Sequence, residues 1–238
     1  MRIAAGRLIA PIVRVARTEI GALAALLILA GGVLAFFDIA EDSAQPGGRR
    51  MDMAVLRWLR PSPDLSDPRG PPWLAHAAGE LTALGGVAVL VVVALIAIGF
   101  LVLKRRFGSA LMVIVSLAGG IALSEGLKGV FGRDRPPEVY RALEVANPSF
   151  PSGHALLSAA AYLTLGSLLA GALDGKRHKA YVMGAATALA LTVGLTRVYL
   201  GVHWASDVLA GWSLGAAWAM ACWLASYFIE RVRRRPAG

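Results

Sequence analysis

Two histidines stand where chemistry is possible. In "TRVYLGVHWASD", residues 196 to 207, Arg197 is followed six residues later by His203, and four further on by Asp207. On a helix a spacing of four sets an imidazole and a carboxylate on one face, within hydrogen-bond reach. The carboxylate then fixes the tautomer of the ring, strengthens its free nitrogen as a nucleophile and stabilises positive charge developing on it. Capping of a helix start by Asp207 is the competing structural reading.

The second histidine, His154, lies in "NPSFPSGHALLSAAAYL", at the threshold of an apolar run. Ser152 there reads as the helix N-cap, and Gly153 as a position where backbone can approach a ligand closely. The first-turn N–H groups of a helix and its positive dipole end form an anion site. "LKGVFGRDRPPEVYR" adds Lys128, Arg133, Arg135 and Arg141 within one short stretch. Lys128, Arg135, Arg197, the Ser152 hydroxyl and the Gly153 N–H are together the donors that three phosphoryl oxygens require. A bound phosphate dianion favours the imidazolium of His154, which suits it to protonate a departing oxygen.

These residues need a scaffold, and the composition says which kind. The 238-residue chain is 57% hydrophobic and only 16% charged, yet carries a net charge of +9. A soluble domain averages about 45–50% apolar residues. Apolar runs long enough to cross a bilayer fall at 20–37, 79–103, 108–126, 153–173, 180–197 and 205–228. The expected fold is therefore all-α: a polytopic six-transmembrane-helix bundle forming a single membrane-embedded domain over 1–238, with core motifs between 128 and 207. The first run is too long for a secretory signal and is read as a span.

Fourteen of the 24 Lys and Arg residues, against three of the 15 acids, flank one set of span ends; the other set has ten against twelve. That asymmetry places the richer side, with both termini (1–19 and 229–238), in the cytoplasm. The two histidines fall on the opposite side, expected to be periplasmic or extracellular, and the chain is expected in a bacterial inner membrane. Within the 38–78 segment, "MDMAVLRWLR" sets Met51, Val55, Trp58 and Leu59 at helical spacing opposite Asp52, Arg57 and Arg60, which predicts an interfacial helix in the first outer loop. Gly211 and Gly215 have the spacing of a close helix crossing, within the bundle or at a dimer face. The lone Cys222 sits in an apolar run and reads as a small hydrophobe.

Three stretches, "KGVFGRDRP", "PSGH" and "TRVYLGVHWASD", resemble the signature motifs of the type 2 phosphatidic acid phosphatase family: Lys-x6-Arg-Pro, Pro-Ser-Gly-His and Ser-Arg-x5-His-x3-Asp. The resemblance covers roughly residues 78–225. It implies a metal-independent, cofactor-free phosphatase in which His203 attacks phosphorus to give a phosphohistidine, Asp207 orients it and His154 protonates the leaving group. Lys128, Arg135, Ser152, Gly153 and Arg197 map onto phosphate binding. Thr196 departs from the family's usual Ser. Arg133 and Arg141 lie outside the pattern and are candidates for a second phosphate or for lipid head groups. The implied partners are a lipid phosphate and the bilayer, with no nucleic acid. Vanadium haloperoxidases share the family's fold but are soluble, which six spans oppose. An anion channel or transporter with an outer-face cationic site is the alternative from another class, and it predicts ionisable groups deep within several spans.

Overall fold

A computed structural model describes residues 2–61, 63–145 and 147–233, with side chains described from residue 19 onward. Among the described residues there are helices and loops but no strand. Their order is α1 (Arg2–Ala44), α2 (Pro46–Trp58), α3 (Pro72–Thr82), α4 (Val87–Leu103), α5 (Phe107–Phe131), α6 (Gly153–Ala172), α7 (Lys176–Tyr199) and α8 (Ala205–Arg233).

Five stretches are long and apolar enough to cross a membrane: Glu19–Ala44 of α1, and α5, α6, α7 and α8. A sixth span forms if α3 and α4 are joined. The sequence predicts that span as one straight run over 79–103, but the two helices are bent 49° apart across Gly86. Gly86 is extended, with ψ 143°, and so ends one helix and caps the next. The break leaves Thr82 beside α7, where it matters for the site.

Helix α6 is the centre of the bundle and packs against α5, α7 and α8. Its small residues make this possible, because Ala155, Ala159 and Ala160 are all buried and bring neighbouring backbones close. Gly211 and Gly215 of α8 face it directly. A methyl on Gly211 would stand 2.7 Å from the Ser152 carbonyl and 2.9 Å from Ala155 Cβ, and one on Gly215 would stand 2.8 Å from Ala159 Cβ. The small-residue pair therefore serves packing within the bundle. Polar side chains satisfy one another across helices: Ser116 Oγ lies 2.9 Å from Thr164 Oγ1, and Trp212 Nε1 donates to the Ala190 carbonyl at 2.9 Å. Large apolar side chains such as Leu27, Leu34, Ile96 and Leu195 stay on the outside, as lipid requires.

The predicted helix in the 38–78 segment exists, but Asp52, expected on its polar face, is turned inward. Met51 and Trp58 are exposed, whereas Asp52 and Leu56 are buried. Asp52 turns inward because charged partners await it there. Arg60, predicted on the polar face, is buried as well and donates to the Tyr140 carbonyl at 2.8 Å.

Candidate phosphate-handling site

The loop joining α7 to α8 is shaped by its glycine. Gly201 has φ of +69°, a left-handed conformation, and a methyl there would stand 2.7 Å from a nitrogen of Arg60. The turn brings His203 N to 3.3 Å from the Arg197 carbonyl, so the end of α7 and the start of α8 are folded onto one another.

His203 lies in this turn, two residues before α8 begins at Ala205, and not on the helix that its spacing to Asp207 suggests. The pair forms nonetheless, with His203 Nδ1 3.4 Å from Asp207 Oδ2. That separation is long for a hydrogen bond. Asp207 Oδ2 also accepts the Trp204 N–H at 2.9 Å, a capping contact at the entry to α8. The same oxygen accepts a very short hydrogen bond from Ser149 Oγ.

On the other side of the ring, His203 Nε2 lies 3.1 Å from Arg135 Nη1. A guanidinium can only donate, so Nε2 is the acceptor and carries the lone pair, while Nδ1–H faces the carboxylate. Burial pushes the His203 pKa down to about 4, with Asp207 opposing that shift, so the ring is neutral at pH 7. Arg135 is brought down to about 10 by burial, with Asp207 again opposing, and stays cationic. Its fork is fixed from several sides: Nε donates to the Asn147 carbonyl at 2.7 Å, Nη2 to Asn147 Oδ1 at 2.7 Å, and Nη1 to the Val202 carbonyl at 2.5 Å.

Ser152 is the N-cap residue of α6, but its side chain makes no capping bond. Its hydroxyl is buried and has no hydrogen-bond partner among the described residues, and neither does Nε of the buried Arg197. Buried polar groups are rarely left unpaired without a reason. Here both belong to the set expected to hold an anion. Arg197 Nη1 rests on Thr82 Oγ1 at 3.2 Å, so the bent second span helps to hold that guanidinium. Lys128 Nζ lies 2.7 Å from Glu125 Oε1. A methyl on Gly153 would stand 3.5 Å from Lys128 Nζ, which places the ammonium against the start of α6. His154 lies within electrostatic range of Arg197, His203, Lys128 and Arg135.

Lys128, Arg135, Ser152, Gly153, His154, Arg197, His203 and Asp207 thus come together at one end of the bundle. Among the described residues, no group of three or more His, Cys, Asp or Glu is placed to share a metal ion. Three cations, Lys128, Arg135 and Arg197, are gathered there, with Lys128 also ion-paired to the exposed Glu125. Thr196 is not part of this group, because its hydroxyl donates to the Val193 carbonyl of its own helix at 2.6 Å.

Arg133 does not fit the expectation of a head-group contact. It is bound on both sides by carboxylates, with Nη1 2.5 Å from Asp207 Oδ1 and Nη2 2.7 Å from Asp52 Oδ2. Asp52 also accepts the Ser206 N–H at 3.0 Å and the Ser206 hydroxyl at 2.6 Å. Arg141 is likewise turned inward, with Nε donating to the Pro136 carbonyl at 2.6 Å. Sequence reasoning missed Asp52, Thr82 and Ser149. For Ser149 a signal existed, since it stands three residues before Ser152 in the same rigid stretch. Asp52 and Thr82 lie far from the motifs and gave none.

Comparison with known proteins follows the same outline. The sequence model of the PAP2 superfamily matches residues 109–231. The chain is 32% identical over 165 residues to phosphatidylglycerophosphatase B of Bacillus subtilis, a match covering 68% of this chain and 79% of that protein. It is 33% identical over 121 residues to undecaprenyl-diphosphatase of Sulfolobus acidocaldarius, covering 49% of this chain and 54% of the relative. Among solved structures, the transmembrane PAP2-type phosphatidylglycerolphosphate phosphatase of Bacillus subtilis superposes with a TM-score of 0.78 at 26% identity, over 87% of this chain and 98% of that one. LpxE of Aquifex aeolicus superposes with a TM-score of 0.56 at 19% identity, over 72% and 93% of the two chains, a likeness of fold.

Proposed function

This chain belongs to the PAP2 superfamily, and from that premise we propose that it is an integral-membrane phosphatase acting on a lipid phosphomonoester or lipid diphosphate. The observation that carries the mechanism is the orientation of His203: Nδ1 towards Asp207, and the lone pair of Nε2 towards Arg135. In the reaction, the Arg135 N–H that meets Nε2 turns to a phosphoryl oxygen and frees the lone pair, Nε2 attacks phosphorus, and Lys128, Arg135, Arg197, the Ser152 hydroxyl and the Gly153 N–H hold the phosphoryl oxygens. The bond to the leaving oxygen breaks as His154 gives it a proton. A phosphohistidine remains on His203. Water then attacks it, with His154 taking the proton from that water and inorganic phosphate departing.

Catalysis of this kind rests on positioning and on neutralising phosphoryl charge, and each well-placed donor supplies about 2.7–4 kcal/mol. The cations and imidazoles of this chain account for that chemistry without a metal or cofactor. The distribution of Lys and Arg supports cytoplasmic termini and a site at the outer face of a single membrane domain. The names of the two relatives, a phosphatidylglycerophosphatase and an undecaprenyl-diphosphatase, support a lipid phosphate as substrate.

The test is phosphate release by purified protein from phosphatidylglycerophosphate, phosphatidic acid and undecaprenyl diphosphate in detergent, with and without chelator. Release that persists in chelator, with an acid-labile phosphoprotein absent from His203→Gln, is the expected result. Robust turnover by His203→Gln or Asp207→Asn would remove His203 as nucleophile.

A further inference from the structure

Serine and threonine in a spanning helix ordinarily turn their hydroxyl back onto a carbonyl of the preceding turn, or meet a polar group of a neighbouring helix. The buried hydroxyls of this bundle follow that habit. Ser43, Ser158 and Thr196 donate to carbonyls three residues back, Ser116 bonds Thr164 and the Ala160 carbonyl, and Ser206 bonds Asp52. Within the helices Ser124 of α5 is the exception, the other unpaired hydroxyl being that of Ser152 just before α6. Ser124 is 1% exposed, and its Oγ has no hydrogen-bond partner among the described residues.

Its position explains what such a hydroxyl is for. Ser124 precedes Lys128 by one helical turn, so the two side chains share a face of α5. That face is turned to the start of α6. A methyl on Gly153 would stand 2.9 Å from Ser124 Oγ and 3.5 Å from Lys128 Nζ. The first-turn N–H groups of α6 open at the same place, without a side-chain cap from Ser152. An unpaired hydroxyl, an ammonium and a helix N-terminus thus meet in one small volume, and the unpaired hydroxyl of Ser152 belongs to the residue preceding Gly153.

We propose that Ser124 is a further phosphate-binding residue of this site, its hydroxyl donating to a phosphoryl oxygen of the ligand held against Gly153. The proposal rests on the phosphatase reading for the identity of the substrate, but the chemistry it needs is only a tetrahedral oxyanion. It gives the unpaired hydroxyl a strong acceptor, and it explains why a polar side chain occupies a wholly buried position between two helices. Burying a hydroxyl with no partner is destabilising, so a serine retained only for packing is better replaced by alanine.

The experiment uses the full-length protein in detergent and compares wild type with Ser124→Ala and Ser124→Cys. Two quantities are measured: kcat/KM on the lipid phosphate that wild type hydrolyses, and affinity for orthovanadate and inorganic phosphate, read by inhibition and by the rise in Tm that each produces. Loss of one hydrogen bond to a charged group predicts that Ser124→Ala lowers kcat/KM and anion affinity together, by about ten- to a hundredfold. Its Tm without anion is expected to equal or exceed that of wild type. Ser124→Cys, similar in shape but a weak donor, is expected to fall with alanine and not with wild type.

Values for both variants within about twofold of wild type overturn the assignment, twofold being too small a change for a hydrogen bond to a charged oxygen. A loss of turnover with unchanged anion affinity also overturns it, because that pattern belongs to altered packing. If wild type hydrolyses no lipid phosphate, but phosphate raises its Tm and not that of Ser124→Ala, the residue assignment stands and the proposed function falls. If neither anion binds wild type, both fall.

Discussion

The carboxylate of Asp52 lies 2.7 Å from the guanidinium of Arg133, whose other terminal nitrogen grips Asp207. A helix outside the matched family region of residues 109–231 is thereby joined, through one arginine, to the carboxylate that faces His203. Asp52 and Asp207 are 1% and 0% exposed and share one guanidinium, so loss of Arg133 would strip two buried carboxylates of it, and loss of Asp52 would strip the Ser206 N–H and hydroxyl of their acceptor.

Asp52→Ala should therefore act on both stability and turnover. Deleting Asp52 leaves the buried Ser206 N–H and hydroxyl without their acceptor, at about 1–3 kcal/mol for each unsatisfied group, and Arg133, left with Asp207 alone, is expected to draw that carboxylate away from His203. Thermal unfolding in detergent should show a clearly lowered Tm, and steady-state kinetics a fall in kcat with little change in KM. A variant with wild-type Tm and kcat would show that α2 has no hold on the site.

The pH response follows from His203. Its pKa is lowered from 6.5 to about 4, chiefly by burial, so the ring nitrogen proposed to attack stays unprotonated at all but acid pH. The limb of kcat/KM that reports this group is expected to fall as pH drops through about 4. Stability has its own window: between about 4 and 6.5 the unfolded chain holds more protons at this position than the folded one, so the native state loses stability as pH falls across that range. His203→Gln should flatten that part of a Tm-against-pH curve. An unchanged slope in the variant would show that His203 titrates normally in the folded protein.

How much of this was legible in sequence depends on distance along the chain. The eight motif residues announce themselves by type and spacing, and the apolar runs give the spans to within a few residues. Asp52 does not, because an acid on an amphipathic helix reads as a solvated group until its partner is known, and Arg133 is 81 residues away. Thr82 is hidden for a similar reason, since a hydroxyl within an apolar run carries no mark of the guanidinium of Arg197, 115 residues later. The bend at Gly86 was missed because hydropathy is continuous across it, although the adjacent Gly85 and Gly86 are a breaker signal.

The crossing of α6 and α8 should be intolerant of size. Gly211 lies four residues after Asp207, and a side chain there meets the Ser152 carbonyl and Ala155. Valine at this position must push α8 from α6, and overpacking of this kind costs about 1–3 kcal/mol. Because the two helices carry Asp207 and Ser152, Gly211→Val is expected to lose activity together with Tm. Full activity with a lowered Tm would show that the crossing sets stability alone.

Charge by itself should not replace Arg135. Its three nitrogens reach Asn147, Val202 and His203 in one plane, a pattern that a lysine ammonium on a flexible stem cannot reproduce. The planar fork does two things at once: it fixes the 147–148 loop leading to α6, and it holds a cation at the lone pair of His203. Arg135→Lys keeps the net charge and so tests geometry alone. We expect kcat/KM to fall by about a hundredfold or more, the scale of losing one aligned donor to a phosphoryl oxygen, with the protein still monodisperse in detergent. Retention of most activity would mean that the site needs only a positive field at this point, and that the alignment of Arg135 with His203 Nε2 is incidental to turnover.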